Sequence, residues 1–206
     1  MAQPLRRTTE APQATRDACI AAAHALLDEV GPEQLSLRAV ARGAGVSSMA
    51  PYRHFESKEA LLAELARQGF AELGASVREG CPNGVHLVDF DQFRAMAECY
   101  VAFAERRPAL YRLMFSGVIS DHRAHEALWR DSRWSFEVVI AAIEVLQKDG
   151  RFREGRAIEL ALHVWSVMHG FVSLELDRLM GGRGSMVERF RPHIDLLLHG
   201  LCSPTE

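Results

Sequence analysis

Apolar positions recur along this chain at spacings of three and four residues almost from end to end, and no sustained alternation of β-branched and polar residues interrupts them. That period predicts an all-α fold of about nine helices. In the first, from about Thr15 to Val30, Ile20, Ala23, Leu27 and Val30 share one face, and Gly31-Pro32 supplies the stop. Ser36 follows as an N-cap, and Leu37, Val40, Ala41 and Ala44 stripe a short second helix that ends at Gly45. A second capping serine opens a segment closing near Phe55, after which Glu56-Ser57 introduces a longer helix from about Lys58. Leu62, Leu65, Ala66, Gly69, Phe70, Leu73 and Val77 lie on one side of that helix, which breaks at Gly80-Cys81-Pro82-Asn83-Gly84.

Beyond the loop, Phe93, Ala97, Tyr100, Val101 and Ala104 form the apolar side of another helix, and Pro108 suits the first turn of a short one reaching Phe115. A long helix from about Arg123 to Lys148 ends at Asp149-Gly150. The last two, about Arg156 to Leu179 and Met186 to Leu201, flank Gly181-Gly182-Arg183-Gly184. Both carry more apolar surface than one buried face requires, the mark of helices that meet a partner. Pro192 removes a backbone donor, so the final helix either kinks there or begins there. At 206 residues the chain can bury roughly 70% of its unfolded surface, which makes disulfides or a structural metal unnecessary. With 48% hydrophobic and 25% charged residues, disordered and fibrous classes drop out.

The two short helices and the tight link between them meet the requirements of a helix-turn-helix. Ala41 and Ala44 are small where two helices must cross, and Gly45 is the position expected to take a positive φ. The next stretch, Ser48-Met49-Ala50-Pro51-Tyr52-Arg53-His54-Phe55, presents hydroxyl, phenol, guanidinium and imidazole groups suited to phosphates and base edges in a major groove. It is the expected recognition helix. Arg6 and Arg7 could serve as a minor-groove arm or as a solvated tail.

Over about Thr15 to Leu65 the chain resembles the TetR family of bacterial repressors, whose signature reads much like Leu35-Ser36-Leu37-Arg38-Ala39-Val40-Ala41, Gly45-Val46-Ser47 and Tyr52-Arg53-His54-Phe55-Glu56-Ser57-Lys58-Glu59. The resemblance implies that Tyr52, His54 and Lys58 contact phosphates, that Ser48, Met49 and Arg53 face bases, and that Arg38 reaches the backbone or a nearby base. Ser47, at the start of the reading segment, belongs to the same DNA-binding set. Pro51 departs from the family, which more often has Leu or Ile packing into the domain core there, so a tilted or re-capped recognition helix is expected. Residues 13–62 would then form a three-helix DNA-binding domain and residues 63–206 a larger helical effector-binding and dimerisation domain. The implied function is a ligand-responsive repressor that binds a palindromic operator in double-stranded DNA as a homodimer.

Aromatic and methionine residues crowd the second region, and a bundle so built is the kind of interior in which an apolar cavity forms around a few polar groups. The expected lining is Met96, Tyr100, Phe103, Met114, Trp134, His163, Met168, His169 and Phe171, with Tyr100, His163 and His169 as the polar groups that would orient a small-molecule effector. Val164 to Leu174 also resembles a subset of the family with Trp, His and Gly at this spacing. His169 is then either a ligand contact or a hydrogen-bonded core histidine, and Gly170 permits close helix packing. By the same resemblance Leu174, Phe190, Ile194, Leu197, Leu198 and Leu201 join a four-helix dimer interface. Two recognition elements on a two-fold axis, roughly 34 to 36 Å apart, add affinity that one alone lacks.

Charge and cysteine usage narrow the alternatives. A net charge of −3 and a pI near 6.3 exclude overall basicity, but a DNA-binding face needs only a local cluster. Cys19, Cys81, Cys99 and Cys202 are scattered without a C-x-x-C pair, and no apolar leader follows Arg6 and Arg7, so the reducing cytoplasm is the expected compartment. Ala157 to Leu176 is the most apolar stretch, yet Glu159, His163, His169 and Glu175 would be costly in hydrocarbon, and no membrane span is expected. His125-Glu126 begins like the zinc-protease pattern H-E-x-x-H, but Trp129 stands where the second histidine should be. His122, His125 and Asp121 could share a metal; a solvated helix start is the expectation. With no Ser-His-Asp order, P-loop or dinucleotide glycine pattern, neither catalysis nor a cofactor is expected. The alternative is a regulator of the same fold that answers a protein or a redox signal at Cys81 or Cys99.

Overall fold

The computed structural model describes residues 10–84 and 89–202, and the Arg6-Arg7 arm lies outside them. Among the described residues the regular structure is eight α-helices and two 3-10 turns, with no strand and one isolated bridge between Phe152 and Cys202. Helix α1 spans Glu10–Gln34, but Gly31 takes a left-handed backbone at φ 76, so the helix proper stops where Gly31-Pro32 predicts. Helix α2, Leu37–Gly43, opens at Ser36, whose hydroxyl accepts the Ala39 N–H at 3.2 Å. Gly45 then takes φ 66, as the turn requires.

The recognition segment departs from the expected α-helix. Only Pro51–Arg53 is helical, as a 3-10 turn. Pro51 has no N–H for the Ser47 carbonyl, which instead accepts from Ala50 at 2.9 Å, and Arg53 in turn donates to Ala50 at 3.1 Å. The Pro51 ring itself is buried and holds the segment to the domain core.

Helix α3, Lys58–Glu79, is capped by Ser57, and α4, Phe90–Arg106, begins with a capping box of Asp89 and Gln92. Helix α5, Pro108–Phe115, has its proline in the first turn. The expected helix from Arg123 is divided into a 3-10 turn, His122–Ala124, and α6, Glu126–Lys148, because His125 leaves helical geometry at φ −110, ψ 85. Helix α7 covers Ala157–Leu176 and ends before the expected Leu179, since Arg178 turns to φ 56. Helix α8 covers Met186–Leu201 behind a capping box of Ser185 and Glu188. Pro192 lies inside α8 on its exposed side, so it does not mark the start of the helix.

Helix α3 is central, packing against α1, α4, α5 and α6, while α8 lies on α4 and α7. That placement buries most of the expected dimer face within the protomer. Phe190 and Ile194 are fully buried, and Leu197, Leu198 and Leu201 nearly so, because the apolar side of α8 is consumed by its own protomer. Of the expected set Leu174 alone is exposed, and on α8 the free apolar side chain is Leu196, 73% exposed. Among the described residues α7 is the one helix long and apolar enough to cross a membrane. Its Ala161, Val164, Met168, Phe171 and Val172 are buried in the bundle, while Ile158 and Leu174 are exposed and the partly exposed Leu162 borders the bundle's cavity. An ion pair between buried Glu175 and Arg189, 2.6 Å, ties α7 to α8.

Phe190→Ala should therefore cost about 3–5 kcal/mol of folding free energy in chemical denaturation, the loss for emptying a closed aromatic site. A loss no larger than that of Leu196→Ala would mean that α8 is not seated on α4 and α7 as described.

Candidate functional site

The helix-turn-helix presents its polar side chains outward from a closed base. Leu37, Val40, Ala41, Pro51 and Phe55 are buried, and Arg16 reaches from α1 over the Phe55 ring at 5.5 Å from its centroid. Above that base Arg38, Ser47, Ser48, Met49, Tyr52 and Arg53 are exposed, with His54 half-buried against Phe55. Met49 at 61% and Tyr52 at 46% exposure are large side chains left for a partner. A 3-10 turn advances one residue per third of a turn, so Tyr52, Arg53 and His54 diverge in three directions. Lys58 is half-buried and donates to the Glu33 carbonyl at 2.6 Å, tying the start of α3 to the end of α1. Exposed Arg42, in the last turn of α2, adds a cation on this side that the motif reading passed over.

A second site lies in the bundle. A cavity of about 430 Å³ opens between α3, α4, α5, α6 and α7, within the usual range for small-molecule sites. Of the expected lining, Met96, Tyr100, Met114 and Met168 border it. The other five do not, each for a visible reason. Phe103, one turn past Tyr100, is fully buried elsewhere in the core. Trp134 lies across Gly74, where an added Cβ would come 2.5 Å from its Cζ3, and Arg78 covers the ring at 4.4 Å. His163 is exposed on α7, and Phe171 packs on Phe190 and His193. His169 bonds to Tyr111 instead.

That last contact belongs to a buried chain of polar groups beside the cavity. The Tyr100 and Tyr111 hydroxyls are 2.7 Å apart, and Tyr111 reaches His169 Nδ1 at 2.6 Å. Burial raises both phenols and lowers the His169 imidazole, so all stay neutral near pH 7. Residues missed from sequence include Phe70 and Leu73 of α3, and Trp129, Ser132, Arg133 and Phe136 of α6. The α6 four fall at positions i, i+3, i+4 and i+7, so their helical phase was the available signal.

Polar links join the two sites. Glu59, in the first turn of α3, accepts from the Ser120 N–H at 3.0 Å and its hydroxyl at 2.7 Å, and His125 lies 4.0 Å away. Ser120 is two residues before His122, which lines the cavity. Further along, Arg16 pairs with Glu64 at 3.2 Å, Glu64 with Arg67 at 2.9 Å, and Arg67 with Asp131 of α6 at 3.1 Å. Burial opposes ionisation of Glu64, yet bonds from Arg67 and Gln68 hold its carboxyl down at about 2.

Among the described residues no group of three or more His, Cys, Asp or Glu side chains is placed to hold a metal ion. Burial pushes the Cys81 and Cys99 thiols up, which lowers the thiolate fraction that redox chemistry needs.

Comparison with known proteins bears on both sites. Residues 20–65 match the family described as bacterial regulatory proteins of the tetR family, and residues 93–197 match the tetracyclin repressor-like C-terminal domain. The HTH-type transcriptional regulator YobS of Bacillus subtilis is 25% identical over 91% of this chain and 92% of its own length. A solved Rhodococcus sp. RHA1 protein, described as of unknown function, is 28% identical with a TM-score of 0.80, covering 98% of this chain and 100% of that one. The TetR-family regulator PfmR of Thermus thermophilus shares the fold at a TM-score of 0.70 and 23% identity, over 90% of this chain and 99% of its own. A tetR-family match at the N-terminal helix-turn-helix, followed by a tetracyclin repressor-like C-terminal match over half of the chain, places it in the TetR family of DNA-binding transcriptional regulators, a family of regulators and not of enzymes.

Proposed function

We propose that the chain is a cytoplasmic, homodimeric repressor that reads a palindromic operator through Arg38 and residues 47–54, and releases it when a small, largely apolar effector fills the cavity. The observation that carries this reading is the course of α3. Lys58 begins the helix beside the reading segment, and Phe70, Leu73 and Val77 of the same helix border the cavity. An effector that needs room displaces α3 as a rigid rod and changes the separation of the two recognition segments. The Ser120–Glu59 bonds and the Asp131–Arg67–Glu64 chain carry the same displacement. A hundredfold loss of operator affinity needs only about 2.7 kcal/mol of preference for the released state, within the usual range of allosteric coupling.

In this reading residues 13–62 act as the DNA-binding unit and residues 63–206 as the effector and dimerisation unit, with α3 shared between them. Arg53, Ser48 and Met49 face bases, while Tyr52, His54 and Lys58 hold phosphates and Arg38 the backbone. The two-fold interface is formed by the outer faces of α7 and α8, where Ile158, Leu174 and Leu196 are exposed. Trp165, His169 and Gly170 mark a subset of the family in which the stacked Trp165–His169 pair, 5.3 Å between centroids, props the cavity wall. The raised thiols of Cys81 and Cys99 argue against the redox alternative.

The decisive test incubates the purified chain with a randomised DNA pool at about 0.15 M salt, where non-specific binding is weak, and sequences what is retained. A palindrome with half-sites about one helical turn apart is expected; no enrichment, with or without cell extract as a source of effector, would sink the reading. On the recovered operator, Arg53→Ala should lose about 1–3 kcal/mol and relax preference at one position, whereas Lys58→Ala should weaken all sequences alike and flatten the salt dependence. Unchanged base preference in Arg53→Ala would remove that residue from the reading set. Leu196→Arg should give a folded monomer in light scattering, while Leu197→Arg should fail to fold. A folded, dimeric Leu196→Arg protein would move the interface elsewhere.

A further inference from the structure

The polarity of the cavity is one-sided. Helices α3, α4, α5 and α7 present rings, methyl groups and thioethers to it, with the Tyr100 phenol already bonded to Tyr111. Ser116, His122, Ser132, Arg133 and Ser135 all come from the α5–α6 connection and the first half of α6. The serine hydroxyls are engaged locally: Ser116 donates to Leu113 at 3.0 Å, Ser132 to Trp129 at 2.9 Å, and Ser135 to the Ser132 carbonyl at 2.7 Å. Among the described residues no Asp or Glu borders the space, and burial holds the His122 imidazole toward its neutral form. The one fixed charge in that described lining is the Arg133 guanidinium.

Arg133 is held only lightly. It pairs with Glu137, one turn along α6, at 3.0 Å, with both side chains more than half exposed at 59% and 53%. An exposed i,i+4 pair of this kind contributes little and yields to a better anion. The guanidinium also stands 5.9 Å from the centroid of the Trp129 ring, at the border between solvent and the ring-lined interior. A cationic ligand would find no countercharge in this wall, and a wholly apolar one would leave Arg133 unused.

We infer that the effector is an apolar, ring-bearing molecule with a single anionic group, its body among the cavity rings and its anion received by Arg133 at the mouth. This rests on the cavity being the effector site. Carboxylates and sulfonates have the planar or three-fold oxygen arrangement that a guanidinium fork matches. Arg133 thus acts as a specificity residue that selects on charge, while the interior selects on size and shape.

Two fluorescent dyes with one ring system test it: anilinonaphthalene sulfonate and its uncharged parent, phenylnaphthylamine. The full-length protein should bind the sulfonate about tenfold more tightly than the parent, the ratio expected for one charge-assisted contact. Arg133→Gln should abolish that preference while moving the parent's affinity less than about twofold, and Arg133→Lys should restore part of it. Val139→Trp, which fills the cavity from a half-exposed position, should remove both signals and so separates the cavity from the exposed face of α7. Equal affinities for the two dyes, a preference that survives Arg133→Gln, a sulfonate signal that persists in Val139→Trp, or no signal from either dye would each overturn the assignment. The DNA selection reads out independently, so a chain that enriches a palindrome yet fails to discriminate the dyes loses only the anionic-head assignment.

Discussion

A helix of 22 residues that is buried along most of its length moves as one body, because bending it would break backbone hydrogen bonds and open packed contacts on several sides at once. Helix α3 is such a helix. Its first turns complete the hydrophobic base of the DNA-reading head through Leu61, Leu62 and Leu65, and its later turns close one wall of the cavity through Phe70, Leu73 and Val77. The two sites share a structural member, so the geometry of one constrains the geometry of the other without any additional device.

The joint around α3 is polar as well as apolar, and its polar parts are unequal. Glu64 sits among Arg16, Arg67 and Gln68 with its charge well compensated. Arg107 by contrast bonds to His24 of α1 at 3.2 Å but leaves its Nε buried without a partner. A buried donor left open is a place where the packed arrangement gains little from staying closed.

Burial also explains the division of labour among the aromatic and histidine side chains. Tyr100, Tyr111 and His169 satisfy one another in sequence, which keeps three polar groups paired beside the cavity that Tyr100 borders. The chain of bonds fixes the ring planes of Tyr111 and His169, and Trp165 stacks on the latter to form part of the cavity wall. At the other end of the molecule, one missing N–H at Pro51 converts the expected recognition helix to a tighter turn, while the buried ring keeps the segment docked. A local backbone rule thus sets the angles at which Tyr52, Arg53 and His54 leave the surface.

The periodicity of apolar residues by itself determined the all-α class, the order of the helices and most of their ends, because caps and breakers such as Ser36, Gly45, Ser57 and Ser185 act within a few residues of themselves. The family motif lay in contiguous positions and was equally legible. Only the tertiary structure decided which apolar face meets which neighbour. Phe190, Ile194 and Leu197 share a stripe whose period reads the same whether it faces its own core or a partner, and α4 and α7 claim it. The same holds for His163 and His169, six residues apart on α7, one exposed and the other sealed against Tyr111. Arg133 and Trp129 were legible as a helical phase, but their meeting with Phe70 and Met96 depends on contacts across three helices, which no local pattern encodes.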